Sequence, residues 1–107
     1  MVEYFSSIDR VERSPDLLLD SDEVIVVVDD SKEAALLLTT LLENRHLPVI
    51  CTGSAESLQT ILSERNAALV ILDLELPGQD GSDILPELVQ NYPDLGIIMV
   101  TGSDAAP

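Results

Sequence analysis

The sequence predicts an α/β domain with a doubly wound parallel sheet, because short apolar segments alternate with amphipathic ones through most of the chain. Four short apolar segments are predicted strands, and the first, third and fourth show no polar–apolar alternation, which is typical of strands covered on both faces. They occupy residues 24–28, 48–52, 68–73 and 96–101. We expect parallel strands joined by right-handed crossovers, with these four strands in the spatial order 2-1-3-4.

Three intervening segments have the apolar spacing of helices that pack on such a sheet. The first, residues 31–44, repeats Ala and Leu at helical spacing and offers Asp30 or Ser31 as its N-cap. The second follows the second strand, and the third lies within residues 82–91. Pro86 is expected in the first turn of the third helix or before its start, because proline lacks the N–H that later turns require.

The length of 107 residues indicates one domain with one core. We divide the chain into an N-terminal extension, residues 1–22, and a domain at residues 23–107. Because 46% of residues are hydrophobic and only 3% are aromatic, the core is expected to consist of Leu, Ile, Val and Ala. Cys51 lies in an apolar segment and is expected to be a small core residue, whereas His46 is expected in a polar loop.

The charge balance excludes several classes of partner. With 20 acidic and 5 basic residues, the chain has a formal net charge of −15 at pH 7. This field repels phosphate backbones and anionic lipids, so we expect no direct binding to nucleic acid and none to a membrane. No secretory leader is recognisable, and no apolar run approaches the roughly 20 residues that span a bilayer. The expected location is the cytoplasm.

Oxygen-bearing side chains follow three of the predicted strands at the same rim of the sheet. Asp29 and Asp30 end the first strand, Asp73 ends the third and Thr101 ends the fourth. The three carboxylates should converge if the first and third strands are neighbours, and a hard cation such as Mg²⁺ would relieve their repulsion. With Mg²⁺ as cofactor, Asp73 could attack phosphorus while Thr101 donates a hydrogen bond to a phosphoryl oxygen. Taken singly, each acid could instead be structural, and Asp30 could be only a helix cap.

Residues 23–104 resemble the receiver domain of two-component response regulators. The resemblance rests on the segments VIVVVDDS, ILDLELPGQDG and IIMVTGSD, of which the second is the most specific. It implies a flavodoxin-like fold, Asp73 as phosphoacceptor and Thr101 as switch hydroxyl. It also implies that Mg²⁺ is bound by Asp73 and Asp30 directly, by Asp29 through water and by the Glu75 backbone carbonyl. The implied partner is a sensor histidine kinase or a histidine phosphotransfer protein, which donates from a phosphohistidine.

The chain departs from that family at its C-terminal side. Receivers have a fifth strand ending in a lysine and then a fifth helix, whereas this sequence ends six residues after Thr101 and its only lysine is Lys32. A fragment and a natural short form are both compatible with this. We therefore expect an incomplete sheet whose fourth strand is an exposed edge, and slow phosphorylation or a weak readout. The extension 1–22 could cover the vacated face, in its own subunit or in a swapped homodimer, or could be only a linker.

Two alternatives to a phosphorelay receiver remain. Phosphatases of the haloacid-dehalogenase type use a strand-end D-x-D motif, but here Glu75 stands at the second acidic position. We therefore expect no enzyme of that kind. The other alternative is a module with the receiver fold that works by interaction or dimerisation without phosphorylation.

Overall fold

A computed structural model describes residues 2–5, 22–76 and 79–100 of the chain. In chain order its elements are β1 (Val2–Phe5), β2 (Glu23–Val28), α1 (Lys32–Glu43), β3 (Val49–Thr52), α2 (Ala55–Glu64), β4 (Asn66–Asp73), β5 (Glu75–Leu76), β6 (Gln79–Asp80), α3 (Gly81–Asn91) and β7 (Gly96–Val100). The predicted alternation of strands and helices between residues 23 and 100 is confirmed.

The main sheet has five strands in the order β1-β7-β4-β2-β3, and every neighbouring pair is parallel. The four strands predicted from the sequence correspond to β2, β3, β4 and β7. Their order is the expected 2-1-3-4, so the doubly wound architecture is confirmed. A second, antiparallel pair of two-residue strands, β5 and β6, lies in the segment that follows β4.

The expectation that the fourth predicted strand forms an exposed edge was wrong. That strand is β7, and β1 pairs with it in parallel from Val2 opposite Ile97 to Phe5 opposite Val100. The physical reason is that Val, Tyr and Phe favour extended, paired backbone, and β7 presents a free row of N–H and C=O groups. The predicted cover of the sheet face by the rest of the extension lies outside the described residues.

The core lies on both faces of the sheet because successive residues of β2, β4 and β7 point to opposite sides. On one face the strands pack against α2 and α3, with Leu58 and Leu88 fully buried. On the other face they pack against Leu38 and Leu42 of α1. β2, β4 and β7 are therefore buried on both sides, as predicted.

The ends of α1 are set by local hydrogen bonds. Ser31 is its N-cap, and the Ser31 hydroxyl accepts a 3.3 Å hydrogen bond from the N–H of Ala34. At the other end, the N–H of His46 donates to the Glu43 carbonyl and that of Leu47 to the Leu42 carbonyl. These two bonds form a Schellman motif, with His46 in the left-handed conformation at φ 62°. His46 therefore lies in a turn, as expected, and has a capping role there.

Two sequence-based expectations need correction. α3 begins at Gly81, so Pro86 is its sixth residue and not part of the first turn. Pro86 is exposed, so water can hydrogen-bond the carbonyl of residue 82 that its missing N–H would have bound. Cys51 is exposed rather than in the core, because β3 is an edge strand; its sulfur lies 2.7 Å from the Thr39 hydroxyl oxygen.

Candidate metal centre

Three carboxylates meet where β2 and β4 end. The two strands are neighbours, and Val28, the last residue of β2, pairs with Leu72. Because Asp29 follows Val28 and Asp73 follows Leu72, the two acids lie side by side at the ends of neighbouring strands. Asp30 is the next residue after Asp29. Each acid offers one oxygen within 4.8 Å of the other two. The structure therefore brings together the three acids that the sequence pattern singled out.

Two short backbone turns orient the carboxylates. Oδ1 of Asp29 accepts a 2.9 Å hydrogen bond from the N–H of Ser31, and Oδ1 of Asp73 accepts a 3.0 Å bond from the N–H of Glu75. Each is an Asx-type turn in which an aspartate binds the backbone two residues on. The second oxygen of each carboxylate is left out of these turns.

Backbone bonds to neighbouring strands fix the same two turns to the sheet. The N–H of Asp29 donates to the Thr52 carbonyl at 2.9 Å, and the N–H of Leu74 donates to the Val100 carbonyl at 3.0 Å. Asp73 itself pairs in register with Val100 of β7. The positions of Asp29 and Asp73 are therefore determined by β3 on one side and by β7 on the other.

Burial and the neighbouring acids disfavour the charged form of the Asp29 carboxyl. Partial burial raises the pKa of the Asp29 carboxyl above its ordinary value of 3.8, and the charges of Asp73 and Asp30, with hydrogen bonding to Asp73, raise it further. The hydrogen bond from the Ser31 N–H opposes this rise in pKa. A bound cation would remove the cause of the repulsion.

The donor set fits a hard divalent cation. Carboxylate oxygens are the ligands that Mg²⁺ prefers, and Mg²⁺ usually retains several waters. Asp29 and Asp73 are half-buried while Asp30 is exposed, so the cluster is open to solvent on one side. Glu75 is also exposed and lies in the turn beside Asp73; its backbone carbonyl as a ligand stays a prediction.

One residue beside the acids was not predicted from the sequence, and one predicted site residue lies outside the described residues. Gly53 follows β3, and a Cβ at this position would lie 3.7 Å from the Asp30 Cα and 3.8 Å from the Asp29 carbonyl oxygen. Gly53 lies this close to the two acids because β3 pairs with β2, and no motif within a single segment predicts that pairing. Thr101 follows Val100, the residue that pairs with Asp73, but lies outside the described residues.

Among the described helices, none combines the length and the apolar character that a membrane crossing requires.

A family model and a curated protein are similar to this chain in sequence. Residues 25–107 match the family model of the response regulator receiver domain. Over 59 residues the chain is 39% identical to the transcriptional regulatory protein AruR of Pseudomonas aeruginosa, an alignment that covers 50% of this chain and 24% of AruR. The aligned segment thus spans about a quarter of that regulator.

Solved structures share the fold. The response regulator TrrA of Thermotoga maritima, in complex with Mg²⁺ and BeF, superposes with a TM-score of 0.71 and 29% identity, covering 78% of this chain and 71% of TrrA. TrrA in complex with the histidine kinase ThkA gives a TM-score of 0.70 and 27% identity, covering 80% of this chain and 75% of the matched one.

Proposed function

This chain belongs to the family of response regulator receiver domains, and from that premise we propose that Asp73 accepts a phosphoryl group from a phosphohistidine. The observation that carries the proposal is the cluster of Asp29, Asp30 and Asp73 at the ends of β2 and β4. The donor would be a sensor histidine kinase or a histidine phosphotransfer protein. The complex of TrrA with ThkA supports a kinase as partner.

The Asp73 carboxylate would act as the nucleophile. Its Oδ1 accepts the Glu75 N–H, so Oδ2 is the oxygen left to attack phosphorus. An O–P bond forms as the N–P bond of the phosphohistidine breaks, and the imidazole nitrogen keeps the electron pair of that bond. The product on this chain is an acyl phosphate. Receivers are therefore phosphoacceptors rather than classical enzymes.

Mg²⁺ would supply charge neutralisation for the incoming phosphoryl oxygens. We assign its binding to Asp30 and Asp73 directly, to Asp29 through water and to the backbone carbonyl of Glu75. The hydroxyl of Thr101 would donate to a phosphoryl oxygen. Support comes from the convergence of the three acids and from the Mg²⁺ and BeF complex of TrrA.

Chemical labelling of the full chain tests the proposal. The protein is treated with acetyl phosphate and Mg²⁺ and measured promptly by intact mass, because acyl phosphates are labile. We expect a gain of one phosphoryl group that is lost in Asp73→Asn and without Mg²⁺. Asp83→Asn is the matched control, since Asp83 is an exposed acid in the first turn of α3. Labelling of Asp73→Asn at the wild-type rate would contradict the proposal.

A second candidate is an interaction or dimerisation module that works without phosphorylation. The observation that favours it is the pair Leu36 and Leu37 on α1, whose side chains are 67% and 51% exposed. Adjacent exposed leucines are suited to a contact with a partner or a second copy. In that case Asp73→Asn would keep its partner binding and signalling output, whereas a phosphorelay receiver would lose its output.

A further inference from the structure

In the sheet, β7 lies between β1 and β4, the strand that leads into the proposed phosphoacceptor loop. Phe5 of β1 and Asp73 of β4 both pair with Val100, one on each side of β7. The carbonyl of Val100 accepts the N–H of Leu74, the residue that follows Asp73. Val100 of β7 is therefore in register with β1 on one side and hydrogen-bonded to the loop that carries Asp73 on the other.

Besides the β5–β6 pair and the burial of Leu76, two hydrogen bonds hold the first residues of the loop after β4. One is local, from the N–H of Glu75 to the Asp73 carboxylate, and the other is the 3.0 Å bond from Leu74 to Val100. The second support is only as rigid as the end of β7. Without β1, the end of β7 would be an edge with alternate N–H and C=O groups unpaired, and strand ends at an edge open readily.

We propose that residues 2–5 are a positioning strand for the phosphoacceptor site, which keeps the end of β7 in place and, through the Val100 carbonyl, the Asp73 loop. The proposal rests on the proposed function only for its effect on phosphorylation, since its structural part concerns hydrogen bonds that need neither Mg²⁺ nor a phosphoryl group. According to this proposal, the functional domain includes β1, although the family match begins at residue 25.

The strand comes from the same chain in this proposal. Seventeen residues, 6 to 22, separate β1 from β2. A crossover between parallel strands needs about a dozen residues or more, so this length is sufficient. A second copy that supplied β1 instead would form a dimer with exchanged strands.

Proline substitution tests the pairing of β1 with an internal control. In a parallel strand, alternate residues direct their N–H to the same neighbour, so of Glu3→Pro and Tyr4→Pro only one removes a bond to β7. Hydrogen exchange of individual amides is measured by NMR without Mg²⁺. We expect one of the two variants to speed exchange at Leu74 and at residues 97–100 roughly three- to tenfold, the effect of one net hydrogen bond. Amides of β3, at the far edge of the sheet, should keep their wild-type rates.

Glycine variants keep the test decisive if one proline unfolds the chain. Glu3→Gly and Tyr4→Gly weaken a strand without removing an N–H, and both should speed exchange at Leu74 while β3 stays protected. Slower acetyl phosphate labelling of Asp73 should accompany faster Leu74 exchange. Wild-type Leu74 exchange in all four variants would overturn the proposal, even if Asp73 is still labelled.

Light scattering tests the source of the strand. The assignment of β1 to its own chain predicts a monomer whose mass does not change with dilution. A dimer that shows Leu74 protection only in its associated form would overturn that assignment.

Discussion

Replacement of Asp29 by asparagine tests the electrostatics of the acid cluster in the absence of a phosphoryl donor. The two side chains are nearly isosteric, and the amide oxygen introduced by Asp29→Asn can still accept the N–H of Ser31. The substitution removes one of three negative charges whose oxygens lie within 4.8 Å of one another. We therefore expect the Asp29→Asn variant to be more stable than the wild type without metal, and less responsive to Mg²⁺.

The magnitude follows from the distance between the carboxylates. Two unit charges at the upper limit of 4.8 Å repel by about 0.9 kcal/mol in water, and by more where they lie closer or where water is partly excluded. Because the cluster is open to solvent and screened by salt, we expect a net gain of about 1 kcal/mol. For a domain of this size, that raises the Tm by about 4–8 °C. A cation at one hundred times its Kd would stabilise the wild type by about 2.7 kcal/mol.

Thermal unfolding with EDTA and with excess Mg²⁺ measures both effects. Asp94→Asn is the control, because Asp94 is an exposed acid that lies before β7, at the opposite end of the strands. It should leave the Mg²⁺ response unchanged. The reasoning is refuted if Asp29→Asn fails to raise the Tm in EDTA, or if Mg²⁺ stabilises that variant as much as the wild type.

Other predictions concern pH, capping and the core. Because the pKa of Asp29 is raised in the fold, the metal-free protein should gain stability as the pH falls through that raised pKa towards 3.8, and Asp29→Asn should reduce this gain in urea titrations at stepped pH. His46→Gly should add about 0.5–1 kcal/mol to the free energy of unfolding, since a left-handed residue at φ 62° costs less as glycine; an unchanged urea midpoint would contradict this. Pro86→Ala should raise the Tm, because alanine restores a helical N–H at an exposed position. Leu72→Ala, at a fully buried site, should cost about 2–5 kcal/mol, and a loss below about 1 kcal/mol in denaturant would show that the core there is loosely packed.

The sequence was most informative where the signal is local. The unbroken apolar run of β2 predicted a strand buried on both faces, and the acids that follow it predicted where a charged cluster forms. The pairing of β1 with β7 could not be read in the same way, because its four residues have no local pattern that identifies a partner so distant in the chain. Pro86 was misplaced because tolerance of proline in a helix depends on exposure, which tertiary packing decides.

In the site, too, local patterns predicted some features, whereas contacts between distant segments were not predicted. Convergence of Asp29 and Asp73 followed from the strand order, which sequence periodicity and crossover rules predict. The contact of Gly53 with the acid pair, and the bond from Leu74 to Val100, depend on the register between strands. Register is set by the packing of whole faces, so no motif within a single segment specifies it.

The adjacency of β1 and β7 also constrains how the protein folds. Val2 pairs with Ile97, so the outer strand closes nearly the longest loop that this chain can form. Contacts of such sequence separation form late, because loop-closure entropy is lost before the pairing repays it. Until then the outer side of β7 is an open strand edge, which is the surface on which partly folded chains associate. The yield of refolding should therefore fall as the protein concentration rises, even under conditions in which the folded protein is stable.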